Sequence, residues 1–587
     1  MSKIICIWKK SDFDPAIKNT IKKICNQLEP DNIQANEPEI HVGKNWSYGI
    51  MNPTSSLLKT DSGVMLGKFF GDNEKWDKIG NVGLDGSFAI FRNNPKFGEI
   101  NSDVAGTRSI WYYLDKEYFI ASTSQRAMIM FLGSFEMNEE VVPWMLSTGS
   151  LGPFLSWDKR IKLLQPNASL TLNKEKWEIM IQYVPIVYEH RKLTKKEGYK
   201  LVFDAIKETF KGLNLDFEKW AITLSGGKDS RGILLTILAN GEKAENIKTY
   251  SHGHRGSQQI KGTDGAIAKL IANKYGVHNE FFSSMTFSED ESLNAILERI
   301  LKVGEGRVDH LKAYVDGFSF WKYLFHNKME GVLRGDMCFG FPYSVKLRTE
   351  KEAYKFTNFF PCNEWANLDH LEKAGMQAHR FPDTLKANKG ESMIFFRERI
   401  YSAYRIPIVL AALSDFKLSY VEVISPLLSR KIINAVRTLP ENLLIRAPIW
   451  MDYLNQLENK IPYAHQDTHD SSDQEELQRD AMEFKIKVIK ESPYLPFYLK
   501  ALVSETQYKK KSAIDILKNK IKNSFSKNQM FIIWRFFVGN HKKEVLPKPK
   551  LIDRLFIISE MQRILHEDAQ VLKDEKPCGN DCNTIKV

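Results

Sequence analysis

Residues 225–230, which read SGGKDS, combine side chains and glycines suited to binding phosphate. Gly226 and Gly227 let backbone N–H groups turn inward around anionic oxygens, and Ser225 and Ser230 add hydroxyl donors. Asp229 would repel a phosphate unless a cation lay between them, and Mg²⁺ is typically held by one or two carboxylates together with phosphate oxygens. These six residues therefore predict a site for phosphate and magnesium.

Two other interpretations of SGGKDS are weaker. A Walker A loop needs a glycine five positions before its Gly-Lys-Ser/Thr end, whereas Ile222 stands there and Asp229 follows Lys228. A glycine-rich turn that binds nothing is the plainer alternative, and the strand-like run before it and the helix-like run after it argue against that.

The segments around this loop alternate between strand-like and helix-like patterns. After about residue 195, a helical stretch leads into WAITL, the loop, SRGILLTILAN, IKTYSHG, DGAIAKLIANKYG and HNEFFSS. Strands that alternate with helices predict a parallel sheet with crossover helices, and such sheets bind ligands at the carboxyl ends of their strands. The loop lies at such an end.

The rest of the chain divides into two further regions. Residues 62–190 contain short β-like runs separated by turn signals, which predict an antiparallel, sheet-dominated region. Beyond about residue 455 the sequence turns charged and helical. At 587 residues the chain exceeds what one core supports. We therefore expect three parts: 1–195, 196–460 and a basic helical extension, 461–587.

The composition and net charge limit the kinds of partner that the chain can have. The net charge is +11, and residues 507–550 alone hold twelve Lys or Arg against two acids. That segment is either the solvated face of amphipathic helices or a docking stripe for an acidic peptide, a carrier or RNA. No run approaches the roughly 20 apolar residues of a spanning helix, so no membrane partner is expected. The six scattered cysteines suit a reducing, cytoplasmic location, and Cys578 and Cys582 alone do not make a metal site.

Ser-Gly-Gly-x-Asp-Ser after a strand resembles the signature of the N-type ATP pyrophosphatases. In that family the loop binds the pyrophosphate part of ATP, the acceptor is adenylated and pyrophosphate leaves. The resemblance implies ATP and Mg²⁺ as cofactors and places the strand at residues 249–253 along the adenosine. The implied nucleotide-binding residues are Ser225, Gly226, Gly227, Asp229, Ser230, Tyr250 and Ser251.

Landmarks across roughly residues 60–465 resemble the asparagine synthetases within that superfamily. They include LDGSFAIFRNN, SDVAGTRSIWYY, YFIASTSQRAMI, IKLLQPNASLTL and YVEVISPLLSRKIINAV. This resemblance implies an α+β and α/β fold: an Ntn-hydrolase-like antiparallel sandwich, then a parallel-sheet synthetase domain with a helical extension.

The run VLRGDMCFGF resembles the family's Leu-Ser-Gly-Glu-Gly-Ser-Asp-Glu-x-Phe-Gly-Gly segment, shortened by three residues. Aligned from its right end, Asp336 takes the place of the magnesium-binding aspartate. Aligned from its left end, Asp336 takes the place of a glutamate near the reacting carboxylate. We prefer the metal role, so Asp229 and Asp336 are the predicted magnesium ligands. Glu305 is a candidate second carboxylate near the substrate, and Lys228 a candidate catalytic cation.

The first residues of the sequence indicate which group supplies the nitrogen of the amide that asparagine synthetase-like enzymes form. Glutamine-using members of the family begin Met-Cys-Gly, because the terminal cysteine is the nucleophile. This chain begins Met-Ser-Lys-Ile-Ile-Cys, and Cys6 cannot replace a terminal cysteine because its amine is in a peptide bond. Ser2 stays an open candidate for an N-terminal nucleophile, but the family's glutamine-binding runs, Asn-Gly-Glu-Ile and Ser-Asp-x-Glu, do not occur between residues 40 and 100. An inactive glutaminase region beside an adenylating site resembles β-lactam synthetases and the cyclases of lasso peptides. The resemblance implies a carbon–nitrogen ligase that uses the substrate's own amine, with a small molecule or peptide as substrate and a precursor peptide or protease as further partners.

One departure from the family keeps alternatives open. The family places an essential lysine after the Val-Glu-x-Arg-x-Pro segment, whereas KIPYAHQDTHDSSDQ has no lysine after Lys460. Lys228, Lys460 and His465 are the candidates for its role. The alternatives are asparagine synthesis from ammonia, a tRNA-modifying enzyme that uses the basic segment, which the N-terminal half argues against, and a binding protein without catalysis.

Overall fold

The structure is a computed structural model, and it describes residues 3–54, 57–189, 191–284, 286–288, 290–340, 347–357, 376, 381–457, 461–465, 475–504 and 548–573. The fold is built on three sheets, two antiparallel and one parallel, with helices packed on and between them. The predicted fold class is confirmed. The boundaries of the three predicted parts stay a prediction, although α4 begins at Lys195, close to the first of them.

The twelve strands of the N-terminal region form two six-stranded antiparallel sheets, ordered β10-β8-β9-β1-β3-β2 and β12-β11-β7-β6-β5-β4. Their bounds are β1 Lys3–Lys9, β2 Glu39–Val42, β3 Trp46–Met51, β4 Leu58–Thr60, β5 Gly63–Phe69, β6 Gly86–Asn93, β7 Phe97–Ser102, β8 Trp111–Leu114, β9 Tyr118–Ser122, β10 Lys162–Leu163, β11 Ala168–Asn173 and β12 Glu178–Tyr183.

The two antiparallel sheets pack face to face. In β1, Ile4, Cys6 and Trp8 enter a core that the second sheet completes with residues such as Phe91 and Leu170. The alternate side chains of β1 enter a second core, formed with helices, so both faces of this strand are buried. That is why the strand is an unbroken apolar run rather than an alternating one.

The third sheet is parallel and has the order β15-β14-β13-β16-β17. Its strands are β13 Trp220–Thr223, β14 Lys248–Gly253, β15 His278–Ser283, β16 Gly331–Leu333 and β17 Glu422–Ile424. β13 lies in the centre, with Ile222 opposite Thr249 on one side and opposite Leu333 on the other. A central first strand places the loop that follows it among the loops of its neighbours.

The helices are α1 Ile17–Gln27, α2 Gln125–Leu132, α3 Val141–Thr148, α4 Lys195–Lys211, α5 Lys228–Ala239, α6 Asp264–Tyr275, α7 Leu293–Gly304, α8 Ser319–His326, α9 Glu350–Phe356, α10 Met393–Ile400, α11 Ala411–Leu418, α12 Arg430–Arg437, α13 Glu441–Leu444, α14 Pro448–Leu457, α15 Glu475–Glu491, α16 Phe497–Ser504 and α17 Lys548–Asp568. A π-helical stretch, Tyr401–Leu410, joins α10 to α11. Within the described ranges, no helix has both the length and the apolarity to cross a membrane.

Candidate functional site

The glycine loop joins the central strand of the parallel sheet to a helix. β13 ends at Thr223, and α5 begins at Lys228 after Gly227, whose extended backbone serves as the N-cap. The Leu224 N–H donates to the Tyr250 carbonyl oxygen at 2.7 Å, which ties the loop to β14. Residues 225–227 therefore lie in front of a helix N-terminus, where unpaired N–H groups and the helix dipole favour anions.

Short hydrogen bonds define the shape of the loop. The Ser225 N–H donates to Ser230 Oγ at 2.9 Å, and the Gly227 N–H donates to Ser225 Oγ at 3.2 Å. The Gly226 N–H donates to Oδ1 of Asp264, the first residue of α6, at 2.9 Å. The sequence interpretation did not single out Asp264. An anion bound at the Gly226 amide would have to replace or share this carboxylate.

A short segment, residues 461–465, crosses over the loop; we call it the strap. The Ala464 N–H donates to the Gly226 carbonyl oxygen at 3.1 Å, and Arg231 donates to the Ile461 and Pro462 carbonyl oxygens at 2.8 and 2.9 Å. A Cβ at Gly226 would lie 2.6 Å from Ala464 Cβ. The glycine at this position is thus required by the close approach of the strap.

Two of the predicted site carboxylates come from loops that touch. A Cβ placed on Gly335 would lie only 2.8 Å from Asp229 Cβ and 3.0 Å from the Ser230 nitrogen. Asp336 is the next residue; its Oδ2 pairs with Arg334 Nε at 3.2 Å and accepts a hydrogen bond from Ser425 Oγ at 3.3 Å. The loops after β13 and β16 therefore bring Asp229 and Asp336 to the same edge of the sheet.

The environment of Asp229 disfavours its charge. Burial raises the pKa of this carboxyl to about 6 and the nearby Asp336 adds to the rise, while Lys228 and a hydrogen bond from Trp450 oppose it. Trp450 Nε1 donates to Asp229 Oδ1 at 2.9 Å. Burial also lowers the pKa of Lys228. A cation beside such a carboxyl stabilises its charged form.

The two carboxylates fit a magnesium ion that also binds phosphate. Within the described part of the chain, Asp229 Oδ2 and Asp336 Oδ1 make no hydrogen bond, so each residue keeps one free oxygen. No group of three or more His, Cys, Asp and Glu side chains in that part could hold a metal by itself. Mg²⁺ needs only one or two carboxylates when phosphates and water complete its shell.

Tyr250 and Ser251 are buried in β14, and their side chains contact residues outside the loop. The Tyr250 ring packs against Phe282 and Phe320, and Ser251 Oγ donates to Asn279 Oδ1 at 3.3 Å. The next residue, His252, lines a cavity at the carboxyl edge instead. A nucleotide role for Tyr250 and Ser251 stays a prediction; the main-chain oxygen of Tyr250 accepts the hydrogen bond from Leu224 beside the loop.

Glu305 is not brought together with Asp229 and Asp336. It follows α7 with a φ of 53° and is buried. Its carboxylate accepts hydrogen bonds from the Ser124 hydroxyl, from Lys3 Nζ at 3.2 Å and from the Gln125 N–H at 2.9 Å. Burial alone would raise the pKa of Glu305, but these partners hold it below its usual value. This arrangement joins β1 to α2 and α7, and it does not favour the predicted role near the substrate.

The candidates for the missing lysine are placed as follows. His465 ends the strap, is exposed and lies against Gly262, whose added Cβ would come within 2.5 Å of the His465 ring. Lys228 is the first residue of α5. Lys460 lies outside the described residues, as do Ser2, Cys578, Cys582 and residues 507–547 of the basic segment.

A cavity of about 260 Å³ opens at the carboxyl edge of the parallel sheet. Thr223, His252, Ser284 and Arg334 reach it from the ends of four strands. Its other walls come from α8, from α11 and from the segment before α8, which contribute Phe320, Trp321, Leu413, Lys417, His310, Ala313, Tyr314 and Asp316. Arg334 lies in the run VLRGDMCFGF, but nothing in the sequence indicates a role for it. Lys417 and Trp450 were not predicted, because neither lies in a recognisable motif.

Comparison with known proteins gives distant likenesses only. No family model matches the chain, and no curated protein matches it. Among solved structures, it is similar to the glutamine phosphoribosylpyrophosphate amidotransferase of B. subtilis, with 9% identity and a TM-score of 0.20 over 51% of this chain and 92% of that one.

Two further solved structures are equally distant. They are the U34-tRNA thiolase NcsA of Methanococcus maripaludis, with 12% identity and a TM-score of 0.21 over 56% of this chain and 92% of that one, and an allosteric regulatory enzyme of purine biosynthesis, with 10% identity and a TM-score of 0.20 over 48% and 64%. Likeness at this level does not carry function from one protein to another.

Proposed function

We propose that the protein is an ATP-dependent carbon–nitrogen ligase that adenylates a carboxylate and then forms an amide. The observation that carries the proposal is the meeting of Asp229 and Asp336 beside a glycine loop and the N-terminus of α5, at the carboxyl edge of a parallel sheet. The N–H groups at a helix N-terminus bind phosphate oxygens. A pair of carboxylates with free oxygens can hold the magnesium ion that accompanies the phosphates of a nucleotide.

The proposed reaction has two steps. The acceptor carboxylate attacks the α-phosphorus of ATP, an acyl oxygen–phosphorus bond forms, and the bond between the α- and β-phosphates breaks to release pyrophosphate. An amine then attacks the acyl carbon, forms the amide and releases AMP, while the amine's proton passes to a base or to solvent.

The residues of the chain bind and orient in this scheme. The first turn of α5 holds phosphate oxygens, and Lys228 places a positive charge beside them. The amides of Gly226 and Gly227 join them by exchanging their hydrogen bonds to Asp264 and to Ser225 Oγ for bonds to phosphate. Asp229 and Asp336 would hold Mg²⁺, which when bound neutralises phosphate charge. Trp450 donates a hydrogen bond to Oδ1 of Asp229 and leaves Oδ2 for a metal ion.

The finer form of the proposal is ring closure within one substrate, such as a peptide macrolactam. It rests on residues 40–100, which lack the Asn-Gly-Glu-Ile and Ser-Asp-x-Glu runs that bind glutamine in the glutamine-using asparagine synthetases. A substrate that carries both carboxylate and amine makes the second step intramolecular, an effect worth about 7–11 kcal/mol in favourable geometry.

The test measures nucleotide binding and products separately. We expect α,β-methylene-ATP to bind the full chain in the presence of Mg²⁺ and not in its absence. With ATP and peptides that carry a free α-amine and an Asp or Glu side chain, we expect pyrophosphate and AMP rather than ADP. Asp229→Asn and Asp336→Asn should each lower turnover at least about 100-fold, since each removes charge stabilisation from the phosphates. Asp61→Asn, at an exposed turn, should not.

Other outcomes would separate the alternatives. Turnover with free aspartate and ammonium, and not with peptides, would favour asparagine synthesis. Modification of tRNA transcripts would favour a tRNA-modifying enzyme. Magnesium-dependent binding that is unchanged in both Asp variants would refute the site.

A further inference from the structure

The cavity at the carboxyl edge has a polar floor and an aromatic wall. Thr223, His252 and Arg334 lie at strand ends, whereas Tyr314, Phe320 and Trp321 come from α8 and the segment before it. Its volume of about 260 Å³ is at the small end of ligand pockets, which typically span about 300–1,000 Å³. It therefore suits a small molecule or one side chain of a larger one.

Positive charge in this cavity exceeds negative charge. Arg334 and Lys417 are its two cationic side chains in the described part of the chain. Asp316 is the acid on its wall, and it already accepts hydrogen bonds from Ser319 Oγ at 2.8 Å and from the Phe318 N–H at 3.3 Å. Burial raises the pKa of Asp316 to about 6, so this acid is mostly ionised near neutral pH and offsets one of the two cations.

Lys417 is the group that the fold leaves uncompensated. Its ammonium lies 5.4 Å from the centre of the Trp321 ring, and among the described residues no carboxylate or carbonyl accepts a hydrogen bond from it. Burial, and then the charge of Arg334, depress the pKa of Lys417 well below its usual value, and Asp336, which pairs with Arg334, opposes this only in part. The charged form of Lys417 is therefore disfavoured in the empty cavity, and a ligand that supplies an anion stabilises it.

The histidines add donors rather than charge. Burial lowers the pKa of His252 to about 4, and the pKa of His310 is also lowered by burial, with Lys417 adding to both effects. Both rings are therefore neutral near neutral pH and can each donate one N–H. Arg334 is positioned by Ser414, to which its Nη1 donates at 3.1 Å, and by Asp336.

We propose that this cavity binds the carboxylate of a small acceptor, with Lys417 and Arg334 holding the carboxylate and Phe320 and Trp321 packing against its apolar part. The shared ligand chemistry is an anionic group, which a carboxylate or a phosphate could supply. The carboxylate is favoured because the anion-binding amides for phosphate lie at the start of α5, whereas this cavity has an aromatic wall. That the ligand is the acceptor rests on the proposed function, but carboxylate binding itself does not.

The test is binding to the full chain without nucleotide, so it is independent of any turnover. The probes are 3-phenylpropionate, its neutral amide 3-phenylpropionamide and inorganic phosphate, titrated by calorimetry near pH 7.5. We expect the carboxylate to bind at least about tenfold more tightly than the amide or phosphate. Lys417→Met should weaken carboxylate binding at least about tenfold, and Lys417→Arg, which keeps the charge, should retain most of it.

Lys312→Met is the matched control, because Lys312 is an exposed lysine in the segment beside the cavity. It should bind the carboxylate as the natural chain does, and thermal melting should verify that each variant is folded. Equal affinity for the acid and its amide, tighter binding of phosphate, no binding of any probe, or unchanged binding in folded Lys417→Met would each overturn the proposal. Absence of pyrophosphate release with retained carboxylate binding would instead count against the proposed function.

Discussion

At the scale of single residues, Asp229 is the clearest case of a group placed for a partner rather than for stability. It sits in the first turn of α5, accepts one hydrogen bond from Trp450, and has Asp336 close by. A carboxyl whose pKa is about 6 costs the folded state free energy when it ionises. Strained electrostatics of this kind concentrate at functional sites.

We predict that Asp229→Asn makes the protein more stable at neutral pH. The unfolded carboxyl titrates near pKa ~3.9, and the folded one at about 6. The natural chain therefore loses stability as the pH rises from about 4 through 6, whereas the variant does not. The shift corresponds to a gain of about 1–3 kcal/mol above pH 6, allowing for the partial exposure of the side chain.

The measurement is the melting temperature of the natural chain and the variant from pH 4 to 8, with Asp61→Asn as the exposed control. The difference should vanish near pH 4 and be full above pH 6. A gain of equal size at both ends of that range would contradict the buried charge assigned to Asp229.

At the scale of elements, the site depends on close approach between the loops after β13 and β16. Gly335 lies against Asp229 and the start of α5 with no room for a side chain. The stacked rings of Trp450 and Phe339, 4.7 Å apart, hold α14 against the chain that follows β16. The distance between the two carboxylates is therefore set by backbone packing, which no single side chain can adjust.

We predict that Gly335→Ala lowers nucleotide binding more than it lowers stability. An added methyl would meet main-chain and Cβ atoms at 2.8 to 3.0 Å, which a side-chain rotation cannot relieve. The loops must separate, at a cost of about 1–3 kcal/mol. Calorimetry with α,β-methylene-ATP and Mg²⁺ should show at least about tenfold weaker binding in a variant that still melts cooperatively. Unchanged affinity would mean that the spacing of these loops does not matter to the site.

At the scale of the whole molecule, the last described helix is part of the core. α17 packs against α2, α3, α7 and α15, and it is buried along most of its length. Arg126 of α2 makes two hydrogen bonds of 2.8 Å with Asp568, and Arg554 pairs with Asp309 at 2.6 Å. This helix therefore joins the antiparallel region to the region of the parallel sheet.

We predict that Arg126→Leu destabilises the protein by about 3–5 kcal/mol, because it leaves Asp568 buried without its partner. The double variant Arg126→Leu/Asp568→Leu should recover most of that loss. Glu567→Gln, which breaks a pair with Arg563 on the exposed side of α17, should cost less than about 1 kcal/mol. Urea unfolding followed by circular dichroism measures all three. Similar costs for Arg126→Leu and Glu567→Gln would show that the buried pair does not join the two regions.

The sequence by itself determined the features that contiguous residues encode. Apolar periodicity predicted the antiparallel and parallel regions, and the six residues SGGKDS predicted a loop between a strand and a helix. The place of Asp336 beside this loop could also be predicted, because Asp336 follows a buried strand and the loops after parallel strands meet at one edge of the sheet. Glu305 was predicted from its neighbouring residues alone, yet it follows a helix, and its carboxylate binds Lys3 and the start of α2.

Only the tertiary structure decided which distant side chains meet this loop or line the cavity beside it. Asp264, Lys417 and Trp450 lie on three different helices, and nothing in their neighbouring residues marks them. Tyr250 and His252 lie on the same face of β14, where both rings contact Phe320. His252 lines the cavity because it lies nearer the carboxyl end of the strand, and Ser251 lies on the opposite face. Local propensity acts over a few residues, whereas contacts across hundreds of residues depend on how the whole chain packs.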